Sequence, residues 1–165
     1  RVRSIRIGGT DMDEAIVHAV KTELGLLLGH KTAERLKIRL GLAASTGAGS
    51  TSEEVIGVDP ARGMMRPVTV PGDLVSHALD RIVASIIDAV DDLVSTLPPD
   101  LADDMVLPGS LWLSGGGALL PGLARRFEQA TGMAVSIPDD PMHCVVTGAA
   151  AMLARAGSLH GSSAA

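Results

Sequence analysis

Leu111-Trp112-Leu113-Ser114-Gly115-Gly116-Gly117-Ala118-Leu119-Leu120-Pro121-Gly122 decides how the rest of the chain is read. Its apolar start predicts a buried strand over 111–113. Three glycines end that strand, and Pro121 suits the first turn of a new helix. Glycines at a strand-to-helix turn serve one of two ends. They let a helix pack closely on a sheet, or they let a phosphate or ribose approach the backbone with helix-start amides aimed at it. The turn by itself leaves both open.

Downstream, the pattern predicts a helix over 122–131 ended by Gly132, a short strand over 134–137, and a closing helix over 142–156. That last helix is rich in alanine and glycine and suits close packing. The tail, 157–165, is expected to be disordered. Strand, helix, strand, helix is the mark of a parallel α/β layer. Upstream, Asp73 is a candidate cap for the longest helix, 74–97. Ala78, Leu79, Ile82, Ile86, Val90, Leu93 and Leu97 hold one apolar face along it, and Pro98-Pro99 stops it. A short helix is expected over 101–105.

The front of the chain reads as a strand over 3–7, ended by Gly8-Gly9. A helix over 13–28 follows, capped by Thr10 or Asp11, with Gly29 just past its end. Thr32 caps a second helix, 33–42. Residues 43–52 are small, polar and glycine-rich, and hold no Gly-Lys-Ser/Thr, so they form a loop but not a P-loop. Two strands, 54–59 and 64–70, joined by Pro60-Ala61-Arg62-Gly63, predict a hairpin. The fold class is therefore α/β, with 11–70 inserted into it as a helix pair and a hairpin. Residues 1–10 and 71–157 make the α/β unit, and 158–165 the tail. A first residue of Arg1 in mid-pattern leads us to expect a fragment, or a product that lost its front half.

The totals narrow the function. The chain has 165 residues, enough for one domain with a real core. Its apolar share of 46% is almost wholly aliphatic, with one Trp, one Phe and no Tyr. Readers of single-stranded nucleic acid stack bases on aromatics, which this chain lacks. A net charge of −5 argues against a duplex-binding surface. One cysteine, Cys144, forms no internal disulfide and fits a reducing cytosol. No apolar run reaches the roughly 18 residues of a membrane span, and no signal peptide is visible.

Glu34 and Lys37, three apart on one helix face, form either a solvated ion pair or a polar pair that bonds a ribose and flanks a base. Asp11 and Asp13 cap their helix or hold a metal through water. Asp139-Asp140 precedes Pro141 and suits a helix N-terminus. His18, His30, His77, His143 and His160 offer no metal-ligand spacing, so no zinc site is expected. Cys144 has no oriented base and reads as a small buried residue.

Together these segments resemble one family, the MreB-type bacterial actins. Ile5-Arg6-Ile7-Gly8-Gly9 with Asp13-Glu14-Ala15-Ile16 is similar to that family's entry into its second domain. Thr32-Ala33-Glu34-Arg35-Leu36-Lys37 resembles its Thr-Ala-Glu-x-Ile-Lys signature. Leu113 to Leu120 matches its adenosine motif. Asp140-Pro141-Met142-His143-Cys144-Val145-Val146-Thr147-Gly148 is similar to its final motif, and Pro98-Pro99-Asp100-Leu101 to its Pro-Pro-Glu-Leu. The likeness runs over 4–156, in the family's order and spacing.

The resemblance implies the second domain of the actin-like ATPase, ribonuclease H-like fold, with ATP and magnesium held between two domains. It implies that Glu34, Arg35, Leu36 and Lys37 contact adenosine from the inserted subdomain, and that Gly115, Gly116, Gly117 and Ala118 press backbone against it from the other side. It implies self-association into filaments that set cell shape, wall-synthesis partners, and membrane attachment through the first domain only. The 165 residues hold no Asp-x-Gly phosphate hairpin, which the family carries twice. Weak adenosine binding without ATP hydrolysis is therefore expected of this polypeptide alone, with a complementary N-terminal half as a partner. Thr10 and Arg39 stand where the family favours acidic residues. The main rival is a nucleotide-independent interaction module for filaments or wall-synthesis partners. A chaperone or sugar-kinase relative and a small Rossmann enzyme are weaker, because the chain has no sugar-binding first domain and no Gly-x-Gly-x-x-Gly.

Overall fold

The computed structural model describes residues 2–42, 51–98, 100–101 and 111–161, and of 156–161 the backbone alone. Residues 43–50 of the expected 43–52 loop, most of the expected helix over 101–105, and 162–165 lie outside the described residues.

Residues 2–7 form no strand. Ile5 and Ile7 are half-buried, as their alternation predicts. A strand also needs a hydrogen-bonded neighbour, and the described residues supply none. Helix α1 spans Gly9–Leu24 and buries Met12, Ile16 and Val20. It ends four residues earlier than the pattern predicts. Gly25, not Gly29, takes the left-handed conformation at φ 67°, and its N–H returns to Lys21 O. Leu26 and Leu28 then alternate inward, and Leu27 exchanges two 2.9 Å backbone hydrogen bonds with Val58. Leu27, three residues beyond Leu24 and so at helical spacing, thus belongs to an extended segment and not to α1.

Helix α2, His30–Leu40, begins at Gly29 rather than Thr32 and has no side-chain cap. Its core residues are Ala33, Leu36 and Leu40. Strands β1 (Ser52–Asp59) and β2 (Met64–Pro71) form the expected antiparallel hairpin, in register from Ser52↔Pro71 to Asp59↔Met64. Helix α3, Gly72–Val94, follows at once, with Pro71 and not Asp73 at its N-cap. It stops before Pro98. The hydroxyls of Ser95 and Thr96 donate to Asp92 O and Leu93 O and close the final turn.

Strands β3 (Leu111–Trp112) and β4 (Val135–Ser136) pair in parallel, flanking α4, Leu123–Thr131. Helix α5 spans Cys144–Gly161 and so runs into the segment expected to be disordered. One hydrophobic core runs from Met12, Ile16 and Val20 on α1 through Leu36 and Leu40 on α2 and Val55 on β1. It continues through Val75, Leu79 and Val83 on α3 to Leu120, Leu123 and Phe127. Arg126 on α4 forms an ion pair with Asp80 on α3, across the same contact. Helix α5 stays outside that core: every residue from Val145 to Arg155 is exposed.

Candidate functional site

The glycine turn follows β3 as the sequence predicts, but the strand is shorter than expected and not buried, since Trp112 is 61% exposed. Gly115 adopts φ 81°, ψ 177°, a conformation open essentially to glycine alone. A 3₁₀ turn, Gly116–Leu119, follows in place of an immediate α-helix. A Cβ placed on Gly115 or Gly117 would meet nothing within 4 Å, so the space over both is open. Ala118, by contrast, is buried.

The turn is braced by the segment before α5. Gly115 N donates to Pro141 O at 2.6 Å, and Met142 Sδ lies 3.2 Å from where a Cβ on Gly116 would stand. Asp140 caps that helix start. It accepts from His143 N at 3.2 Å and holds the His143 ring at 2.9 Å from Oδ2. The bond from the His143 side chain holds the Asp140 carboxyl below its ordinary value. An open depression of about 480 Å³ lies beside the turn, lined by residues 118–125, 137–139 and 141. It sits past the carboxyl ends of β3 and β4, where ligands of parallel sheets bind.

Helix α2 divides into four strips at about 100° per residue. Leu36 and Leu40 face the core. Arg35 and Arg39 lie on one flank and both reach Glu53 Oε1 on β1, at 3.1 and 3.3 Å. Lys37 lies on the other flank. Its ammonium sits 2.8 Å from Asp13 Oδ1 and donates to Gly9 O at 3.1 Å. The remaining strip carries Glu34, which is exposed, and Ile38, which is 70% exposed.

The predicted Glu34–Lys37 pairing is therefore not made. Lys37 turns to α1, and Glu34 has no ion pair among the described residues. Of the predicted site residues, Leu36 gives its side chain to the core, Arg35 and Lys37 hold neighbouring elements, and Glu34 is open to solvent. Gly41, just past α2, packs against Leu120, just past the 3₁₀ turn: a Cβ on Gly41 would stand 3.0 Å from Leu120 Cδ1. The ends of α2 and of the glycine turn are thus neighbours, although no α2 residue lines the depression. Two features escaped the sequence. Asp13 read as a cap or a water-held metal ligand, with no sign that Lys37 would find it. Ile38 read only as part of a helix.

A family model described as MreB/Mbl protein matches residues 1–160 of this chain. The chain belongs to the MreB/Mbl family. The cell shape-determining protein MreB of Escherichia coli K12 is 39% identical over 145 residues, covering 88% of this chain and 41% of that protein. Mbl of Bacillus subtilis 168 is 34% identical over 152 residues, covering 91% and 44%. This MreB/Mbl chain thus spans less than half the length of the curated relatives it matches. Among solved structures, MreB5 of Spiroplasma citri bound to AMPPNP superposes with a TM-score of 0.86 at 25% identity, covering 96% of this chain and 48% of that one. The same protein bound to ADP gives 0.83 at 26% identity, over 89% and 44%. A MamK double helical filament subunit, at 17% identity, gives 0.66 over 84% and 42%, which bears on the fold alone. The fold is that of an actin-like ATPase, in part, as the motifs imply. No helix among the described residues is long and apolar enough to cross a membrane.

Proposed function

We propose that this chain is the adenosine-facing, C-terminal half of an actin-like filament protein that determines cell shape. ATP or ADP would lie between the open glycine turn and the exposed face of α2. The observation that carries this reading is the free space over Gly115 and Gly117, at a turn whose strained backbone only glycine supplies. The MreB5 relatives, solved with ADP and AMPPNP, support it. Glu34 would hydrogen-bond the ribose. Arg35, Leu36 and Lys37 would shape that wall from behind, and Gly115 to Ala118 would form the opposite one. Residues 1–10 with 71–157 would make one subdomain of the cleft, and 11–70 the other.

Among the described residues no three His, Cys, Asp or Glu side chains are grouped to hold a metal ion. With no Asp-x-Gly hairpin to hold the terminal phosphates, the chain alone is expected to bind weakly and not to turn ATP over. Helix α5 is the surface on which a complementary N-terminal half would pack. Its consecutive exposed residues Val145-Val146 and Met152-Leu153 leave it apolar on more than one face.

Titration of the purified chain with mant-ATP tests the reading. A saturable signal that unlabelled ATP displaces supports it. No saturable signal favours the second reading, a nucleotide-independent interaction module. The exposed apolar surface of α5 is the feature that favours this alternative.

A further inference from the structure

We infer that Asp13 is a positioning residue for the nucleotide face of α2, and that it acts through Lys37. The inference rests on the adenosine-binding reading. It differs from that reading's simplest form, in which Lys37 itself touches the ligand.

The Lys37 and Asp13 side chains are only 16% and 13% exposed, and their charged atoms stand 2.8 Å apart. Asp13 Oδ1 is fully buried, and the Lys37 ammonium is the charge that faces it. The directed bond of the ammonium goes to Gly9 O, the first carbonyl of α1. Both partners of Lys37 are therefore on α1. The same turn is fixed from its other side by Gly8 N donating to Asp11 Oδ2 at 2.7 Å. A half-buried charge that left this pair would strand the other charge, which is costly.

The consequence is rotational. Glu34 and Lys37 are three residues apart, so an arm anchored at Lys37 fixes the angle at which α2 presents Glu34. The Arg35 and Arg39 pairs to Glu53 hold the opposite flank. Between the two anchors only the Glu34–Ile38 strip is free, a carboxylate beside an aliphatic surface. That combination suits a ribose hydroxyl and the edge of a base.

Two measurements on the full chain test this. In the first, mant-ATP affinity is measured for the wild type, Asp13→Asn, Lys37→Met, the double variant and Lys37→Arg. Asp13→Asn and Lys37→Met should each weaken binding about five- to tenfold, an effect typical of residues that bias a site without touching the ligand. The double variant should be no worse than either, and Lys37→Arg should restore most of the affinity. If Asp13→Asn binds as tightly as the wild type or tighter, while Lys37→Met is weakened, Lys37 is a direct contact and the inference falls. If the wild type itself shows no saturable binding, the adenosine reading falls and takes the inference with it. The second measurement needs no variant. Acylation by an N-hydroxysuccinimide ester, followed by mass spectrometry, compares Lys37 with the exposed Lys21 and Lys31. Lys37 should react slowest, equally with and without saturating mant-ATP. Fast reaction that nucleotide alone suppresses would overturn the clamp.

Discussion

Gly115 and Gly117 are two residues apart, and only Gly115 needs glycine for its backbone. Gly115 sits at φ 81°, ψ 177°, where a side chain costs about 1–3 kcal/mol in backbone strain whatever room it has. Gly117 is not at positive φ, and a methyl there would point into open space. Gly115→Ala should therefore lower Tm by several degrees in calorimetry. Gly117→Ala should leave Tm within about a degree yet weaken mant-ATP binding about tenfold, because the methyl would stand where the proposed ligand approaches. A Gly117→Ala chain that binds like the wild type would move the ligand off the turn. The Asp140–His143 pair makes a second residue-level test. The carboxyl lies below its ordinary value of 3.8 chiefly because the His143 side chain bonds it. The folded form is lowered, so its contribution to stability is complete above the unfolded pKa and disappears as pH falls through the folded one. An NMR titration should place the Asp140 midpoint below 3.8, and His143→Ala should bring it back toward that value. The sequence names the residues of the candidate site, but not their partners in the fold. Spacing puts Glu34 and Lys37 on one face, but it carries no information about a carboxylate on another helix. Only the packing of α1 on α2 places Asp13 beside Lys37.

At the scale of elements, the hairpin and the long helix were the most legible, because Pro60 to Gly63 is unambiguous turn chemistry and α3 keeps one apolar face for many turns. Where the sequence misled, two periodicities overlapped. Leu24 and Leu27 continue the helical spacing of Ile16 and Val20, whereas Leu26 and Leu28 are the residues that become buried. A left-handed Gly25 and the pairing of Leu27 with Val58 decide between them, and both are tertiary facts. The 3–7 strand failed for a related reason: alternation predicts a buried edge but cannot supply its neighbour. The short β3 and β4 strands depend on α4 to hold them to α3, and Phe127, at 1% exposure, is the side chain α4 buries most fully in the core. Phe127→Ala should cost about 3–5 kcal/mol in urea denaturation. Hydrogen exchange should show the amides of 111–136 losing protection more than those of α1. Uniform loss across both regions would mean that the core unfolds as one body, with no weaker half.

On the scale of the whole molecule, α5 is the element that does not fit a self-sufficient fold. Val145 and Val146 are 72% and 63% exposed, and Met152 and Leu153 are 73% and 74%. Adjacent residues on a helix point about 100° apart, so no single face of α5 is turned away from water. A helix of this composition is stable when other polypeptide surrounds it. The curated relatives provide a source, since this chain covers only 41–44% of the length of MreB and Mbl. We propose that the occupant of α5 in the working protein is polypeptide from the part of the family sequence outside this match. Without it, the same surface should drive association between copies. Light scattering of the purified chain should then show mass rising with concentration. Met152→Lys combined with Leu153→Glu should suppress that rise and leave Tm unchanged, because neither side chain contributes to the core. Adding a separately produced first domain of a close relative should suppress it as well, by covering the helix. A wild-type chain that stays monomeric at high concentration would show that α5 tolerates water, and the need for a partner would then have to be sought at the 2–7 segment, which has no strand partner among the described residues.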